Sequence, residues 1–297
     1  MPASLDELID SLPPTDAERQ LLAKDANAKL PVPAAASKFT GPEPAAAAKL
    51  CEQFLAGGKE MIVALLGRIR DPASADYVNY KAEYLAHLLV VHAGAPDRAA
   101  QRGLLAGIVA EQVGNASLSA YVRLFLIREL QWIGSAPHLA SLAALLGTEP
   151  YTQPAVSAMV AIREGAGEAL RSFFPKAEGP VRLAVLHGLA ALQEAEAATI
   201  FRAALTDENR DVRITAAWGC VQAADAAAAG TLLRAADAAR NWERIKLTAA
   251  CVELADQLQA NGKKEQAAGI YRHLLETRQA PSEKYLRELA QIRLVTA

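Results

Sequence analysis

Five histidines, three cysteines and a spaced row of arginines are the side chains of this 297-residue chain that could do chemistry. His87, His92, His138, His187 and His273 are followed by Leu, Ala, Leu, Gly and Leu, so none forms a His-Glu metal-binding pair. His87 and His92 stand five apart on one expected helix, whereas two imidazoles share a metal ion on a helix when they are four apart. Packing is the reading for that pair. Cys51, Cys220 and Cys251 have neither C-x-x-C spacing nor the density of a disulfide framework, and read as small buried hydrophobes. No G-x-x-x-x-G-K-S/T, G-x-G-x-x-G or G-x-S-x-G segment occurs, which removes the usual phosphate loops and the nucleophile elbow. These residues imply no catalytic group, metal or cofactor.

The arginines are periodic. Val122-Arg123, Val181-Arg182 and Val212-Arg213 each open an Ala- and Leu-rich segment. With the Val as position one, further copies start at Pro154 and Glu243, and a looser one at Tyr80. Position two is then Lys81, Arg123, Ala155, Arg182, Arg213 and Arg244. Position five is Tyr84, Leu126, Ala158, Val185, Ala216 and Leu247, and position nine is Leu88, Leu130, Ile162, Leu189, Cys220 and Cys251. Positions one, five and nine recur at helical spacing, so each copy is a helix with one buried face. Position three, aliphatic in Leu124, Val156, Leu183, Ile214 and Ile245, is assigned to the core as well, as a helix sandwiched between neighbours needs a wide apolar face. A period near 31 residues marks a supersecondary unit that must lean on the next copy to bury its apolar side.

The segment Asp211-Val-Arg-Ile-Thr-Ala-Ala-Trp218, with the helix and Thr206-Asp207 before it, resembles a HEAT repeat of the short, phycobilisome-lyase-like kind. The likeness spans roughly residues 77–258 and is strongest over 181–224. It implies an all-α, right-handed α-solenoid of HEAT-like helical hairpins. It also implies a structural ladder in which Arg123, Arg182 and Arg213 pair with acids near the inter-helix turns, Asp207 and Asp211 among them. HEAT arrays serve mostly as scaffolds, and fold alone does not fix function. Some are bilin lyases or chaperones of bilin attachment. The His-Glu pairs of the HEAT-type deoxyhypusine hydroxylase are absent here, and Trp132, Trp218 and Trp242 come without the cationic excess of a HEAT-type DNA glycosylase.

Composition agrees with an all-helical chain. Hydrophobic residues make up 52% and aromatics only 5%, so Ala and Leu carry the apolar share and no sheet is expected. Capping boxes at Ser4-Leu-Asp-Glu7 and Thr15-Asp-Ala-Glu18 predict short helices over 5–12 and 16–29. Residues 30–44 hold four prolines and form a Pro/Ala-rich linker or strap anchored by Phe39. Residues 45–258 then form the repeat solenoid, and 259–297 the capping helices. The hairpin around Gly262, Ala267 and Tyr271 resembles a tetratricopeptide unit, with a polar outer face suited to ending a stack.

With 31 basic and 33 acidic residues, the chain lacks the basic excess of a phosphate-tracking surface, so no nucleic-acid partner is expected. No apolar run reaches the ~18 residues of a membrane helix, and the acidic N-terminus is unlike a secretory signal. The expected compartment is the cytoplasm, although a chain trimmed of a signal peptide would read the same. Position seven varies most, as Arg128, Val160, His187, Trp218 and Ala249, on the helix that lines the concave wall of a HEAT array. Arg128, His187 and Trp218 are therefore candidate contacts for a protein or peptide partner, with Arg244 of position two as a fourth. The expected function is that of a noncatalytic scaffold, a monomer or a module of a larger assembly. The alternative is a bilin-lyase-like or other accessory enzyme holding a small ligand in the same groove.

Overall fold

The computed structural model describes residues 4–12, 41–71, 73 and 80–296. The expected helix 16–29 and most of the Pro-rich stretch, Phe39 included, lie outside them. The chain is all-α, and among the described residues there is no strand. It divides into two compact units, Met1–Gly134 and Ser135–Ala297.

Unit 1 contains α1 (Leu5–Asp10), α2 (Pro44–Ala56), α3 (Gly58–Leu66), α4 (Lys81–Ala93), α5 (Ala99–Val113) and α6 (Ala120–Ile133). The capping box of α1 forms as expected, with Ser4 accepting from the Glu7 amide and Glu7 accepting from the Ser4 amide. Helices α2, α4 and α6 pack side by side in one row, while α3 and α5 form the second. Leu85, Leu89, Leu105, Leu126, Ile127 and Leu130 between the rows are at most 2% exposed.

Unit 2 contains α7 (Leu139–Ala143), α8 (Thr152–Ile162), α9 (Ala166–Phe173), α10 (Gly179–Ala191), α11 (Ala198–Ala204), α12 (Arg210–Gln222), α13 (Ala229–Ala238), α14 (Asn241–Ala260), α15 (Lys264–Thr277) and α16 (Lys284–Thr296). Here the repeat is plain. Helices α8, α10, α12 and α14 pack each on the next, and α9, α11 and α13 back them from the other side. Three of these helices stop in the same way. Gln193, Ala224 and Gly262 adopt positive φ, and the following amides of Glu194, Asp225 and Lys263 donate to Leu189, Cys220 and Leu258. That bond satisfies a carbonyl the helix end would otherwise orphan.

Position five is fully buried in Leu126, Ala158, Val185, Ala216 and Leu247, as are Leu130, Leu189, Cys220 and Cys251 at position nine. Burial raises the thiols of Cys51, Cys220 and Cys251 to about 12, which leaves them inert as nucleophiles. Position three departs from its expected place in the core. Val156 is buried, but Leu124, Leu183 and Ile214 are half-buried and Ile245 is 58% exposed. At 3.6 residues per turn, position three points roughly 160° away from the midpoint of positions one, five and nine. Aliphatic character alone does not place a residue inside.

Close packing both within a row and between the rows depends on small residues at position eight. A Cβ on Gly188 would lie 2.6 Å from Val156, and one on Gly219 would lie 2.3 Å from the Phe201 ring.

Candidate functional site

The arginine row settles into a repeated pattern in unit 2. Arg213, in the first turn of α12, donates through Nη1 to the carbonyls of Asp207 (2.7 Å) and Glu208 (2.9 Å) just after α11, and through Nε to Glu243 on α14 (2.7 Å). Arg244 repeats this one unit later, donating to the carbonyls of Ala236 and Asp237 at the end of α13 and through Nε to Glu283 (2.6 Å). Arg182 donates to Asp207 (3.2 Å) and stacks on Phe174. In unit 1 Arg123 donates to the Val113 carbonyl at the end of α5 (2.8 Å). Each guanidinium thus binds the orphaned carbonyls that end one helix, or an acid of the next repeat, or both. Asp211 stands outside this row: it lies 3.2 Å from Arg210, its neighbour in sequence. Arg244, expected to face a partner, has its guanidinium occupied within the row.

Replacing Arg213 with Met is expected to lower stability by about 1–3 kcal/mol, because two carbonyls and the half-buried Glu243 lose their donor together. A thermal melt of the variant overlaying the wild type would contradict that role.

The other candidates lie on two surfaces. In unit 2 the exposed His187 of α10 and the half-buried Trp218 of α12 touch, with ring centroids 5.0 Å apart. In unit 1 the exposed Arg128 borders an open groove of about 590 Å³ between α4 and α6, lined by Tyr80, Tyr84, Tyr121, Phe125 and Trp132. Three Trp, seven Tyr and six Phe are all the chain has, and five of them gather here. Trp132 is 64% exposed.

The floor of this groove is polar and preorganised. His87 Nδ1 lies 2.9 Å from Oε2 of Glu129, a carboxylate only 5% exposed, and the His87 ring meets Trp132 edge-on with centroids 6.2 Å apart. Tyr121 donates its hydroxyl to Glu83 across the same pair of helices (2.7 Å). Burial raises the Glu129 carboxyl above its ordinary range, and the His87 hydrogen bond pulls partly the other way. A raised carboxylate releases its proton more reluctantly when folded, so Glu129 withdraws stability as pH rises above the unfolded value of 4.5. Substituting Glu129→Gln is expected to flatten that part of the pH–stability profile and to leave the protein at neutral pH as stable as the wild type or more so. Melting temperatures read from about pH 4 to pH 8 check this; a profile unchanged in shape would refute it.

The sequence assigns His87 to packing and gives Glu129 no role. The register held a signal nonetheless. Position eight is Ala161, Gly188, Gly219 and Ala250 in the later copies, so His87 and Glu129 depart from it in both earlier ones. His92 belongs to a separate cluster, in which Arg98 donates to its Nδ1 (2.7 Å) and its Nε2 faces Glu52 (2.9 Å). Arginine has only donors, so Nδ1 accepts and Nε2 carries the hydrogen. Among the described residues, no group of three or more His, Cys, Asp or Glu could hold a metal ion.

No protein-family model matches the chain, and no curated protein does. Among solved structures, the complex of CpcE and CpcF of phycocyanin lyase from a Nostoc species aligns over 91% of this chain and 99% of that one, at 15% identity and a TM-score of 0.41. A computationally designed self-assembling cyclic homooligomer aligns over 98% and 95%, at 15% identity and a TM-score of 0.16. Neither likeness decides this chain's chemistry or its partners. The chemistry available in the groove follows from its side chains: aromatic faces and one exposed cation above a polar floor whose acids are already hydrogen-bonded. Among the described residues, no helix is long and apolar enough to cross a membrane.

Proposed function

We propose that this chain is a noncatalytic helical-repeat scaffold of HEAT type, which holds a protein or peptide segment along the aromatic groove of unit 1. The observation that carries this reading is the gathering of five aromatic side chains in one open groove of a chain with 5% aromatics. Trp, Tyr and Arg dominate the energetics of interfaces, and Trp132, Tyr121 and Arg128 stand together here. The Tyr121 to Glu83 and His87 to Glu129 contacts hold the groove's wall and floor in place before a partner arrives, which lowers the ordering cost of binding. His187 and Trp218 offer a further contact on unit 2.

A second reading has one observation in its favour. An imidazole oriented by a buried carboxylate, over a groove of about 590 Å³, also suits a small ligand in a bilin-lyase-like or other accessory enzyme. The open form of the groove supports the scaffold, because small-molecule sites enclose most of their ligand.

A pull-down with wild type against Trp132→Ala and Trp218→Ala tests the scaffold. The expected result is a specific partner held by wild type and weakened about tenfold or more by Trp132→Ala. If both variants retain the same proteins as wild type, the reading fails. An absorbance shift on adding a free bilin, lost in His87→Ala, would move the assignment to the second reading.

A further inference from the structure

Unit 2 carries a different surface at the start of α14. Trp242, in its first turn, is half exposed, and two cations lie over its ring: Arg210, which opens α12, at 5.5 Å from the centroid, and Lys246 at 5.4 Å. One turn along α14, Ile245 is 58% exposed and borders a groove of about 580 Å³ whose far wall is Tyr285, also 58% exposed, and Leu286. A cluster of half-exposed Trp, Ile and Tyr side chains has a large uncompensated hydration cost, which a covering partner would relieve.

Charge defines the kind of partner. Three acids near this surface are already engaged by the chain's own arginines: Glu243 by Arg213 at 2.7 Å, Glu283 by Arg244 at 2.6 Å and Asp211 by Arg210 at 3.2 Å. Lys246, and Arg240 just before α14, have no carboxylate within salt-bridge distance among the described residues. The positive ends of the α12 and α14 dipoles add to the same potential. The surface is therefore apolar at its centre and cationic at its edge, and a cation held over an indole can still receive a carboxylate on its outer side.

We propose that the Trp242, Ile245 and Tyr285 surface of unit 2 docks an acidic amphipathic protein segment, its apolar side chains in the groove beside Ile245 and its carboxylates on Lys246 and Arg210. A nucleic acid is the poorer fit. Its backbone needs a continuous run of cations, whereas here the cations sit at one edge of an aliphatic groove that a polynucleotide would leave unfilled. This surface is independent of the aromatic groove of unit 1.

The test is fluorescence anisotropy on the full chain, with a fluorescein-labelled synthetic peptide in which Leu and Phe alternate with Asp and Glu. Saturable binding is expected, falling as salt is added. It should weaken about tenfold or more in Trp242→Ala and in the double variant Arg210→Glu/Lys246→Glu, and stay unchanged in Trp132→Ala. All the altered positions on unit 2 are at least half exposed or on the surface, and a circular dichroism melt confirms that each variant is folded. Four results would overturn the proposal: no saturable binding to the wild type, unchanged affinity in the double variant, tighter binding of a version with Lys for each acid or of a labelled single-stranded oligonucleotide, or loss of binding in Trp132→Ala.

Discussion

Replacing Arg278 with Met is expected to destabilise the protein by about 3 kcal/mol, the largest effect of any single substitution considered for this chain. Arg278 is fully buried just after α15. Its Nη1 donates to Asp237 (2.5 Å) and to the Thr277 hydroxyl (3.0 Å) and its Nε to Thr248 (3.3 Å), while Nη2 has no partner. Its charge is therefore held by few contacts, and Asp237 supplies most of the compensation. Burial works against the charge of Asp237, yet donation from Arg278 and from His273 (2.7 Å) more than offsets it and holds the carboxyl below its ordinary range. Removing one partner of a buried pair costs ~3–5 kcal/mol, and the lower end applies because Asp237 keeps His273 and is one-third exposed. The double variant Arg278→Met/Asp237→Asn should recover part of the loss, because no unpaired charge then remains. Chemical denaturation of both variants decides the matter: a single variant as stable as wild type would refute the assignment. A lowered carboxylate contributes stability above its unfolded pKa of 3.8 and loses it as pH falls, so the gap between Arg278→Met and wild type should narrow in acid.

The second large effect concerns packing. Gly219→Ala is expected to lose about 2 kcal/mol, even though Ala is the better helix former by ~1 kcal/mol in an exposed helix. The added methyl would lie within 2.6 Å of three atoms of the Phe201 ring, and that ring is fully buried, so it can move only by displacing its neighbours. Overpacking outweighs propensity here. Trimming the obstacle in Gly219→Ala/Phe201→Leu should restore part of the loss. If Gly219→Ala melts at or above the wild-type temperature, the contact between α11 and α12 is looser than these distances require.

Neither of these two contacts is visible in the sequence. Gly219 lies beside Cys220 in a legible repeat, but nothing in the string of letters says that its missing Cβ leaves room for Phe201, eighteen residues earlier. Arg278 reads as one more cation near a Gln-Ala-Pro turn. Its burial arises from how α13, α14 and α15 close around it, with Asp237 and Thr248 arriving from 41 and 30 residues away. The arginine row was more legible: a cation at the start of a helix in every repeat but that of Ala155 implies a repeated duty, and its partners include main-chain carbonyls as well as acids. Glu243, an apparent departure from the Val of position one, is the acid that Arg213 binds. Position three lies outside the core in all but Val156: aliphatic residues are favoured both in a core and on an interaction surface, and only the angle around the helix separates the two.

Periodicity, capping residues and an Ala- and Leu-rich composition were enough to determine that the chain is helical, that its helices recur in register and that positions five and nine are buried in most copies, although Tyr84, Leu88 and Ile162 are only half-buried and position one is buried only in Val122 and Val212. Those properties are local, set by spacing along one helix and by the backbone preferences of single residues. The aromatic groove of unit 1, the His87–Glu129 pair on its floor and the cation-flanked Trp242 of unit 2 were decided by tertiary structure alone. Each joins side chains from helices at least a full repeat apart, and the distance across such a contact depends on how closely neighbouring helices pack, which no single segment encodes.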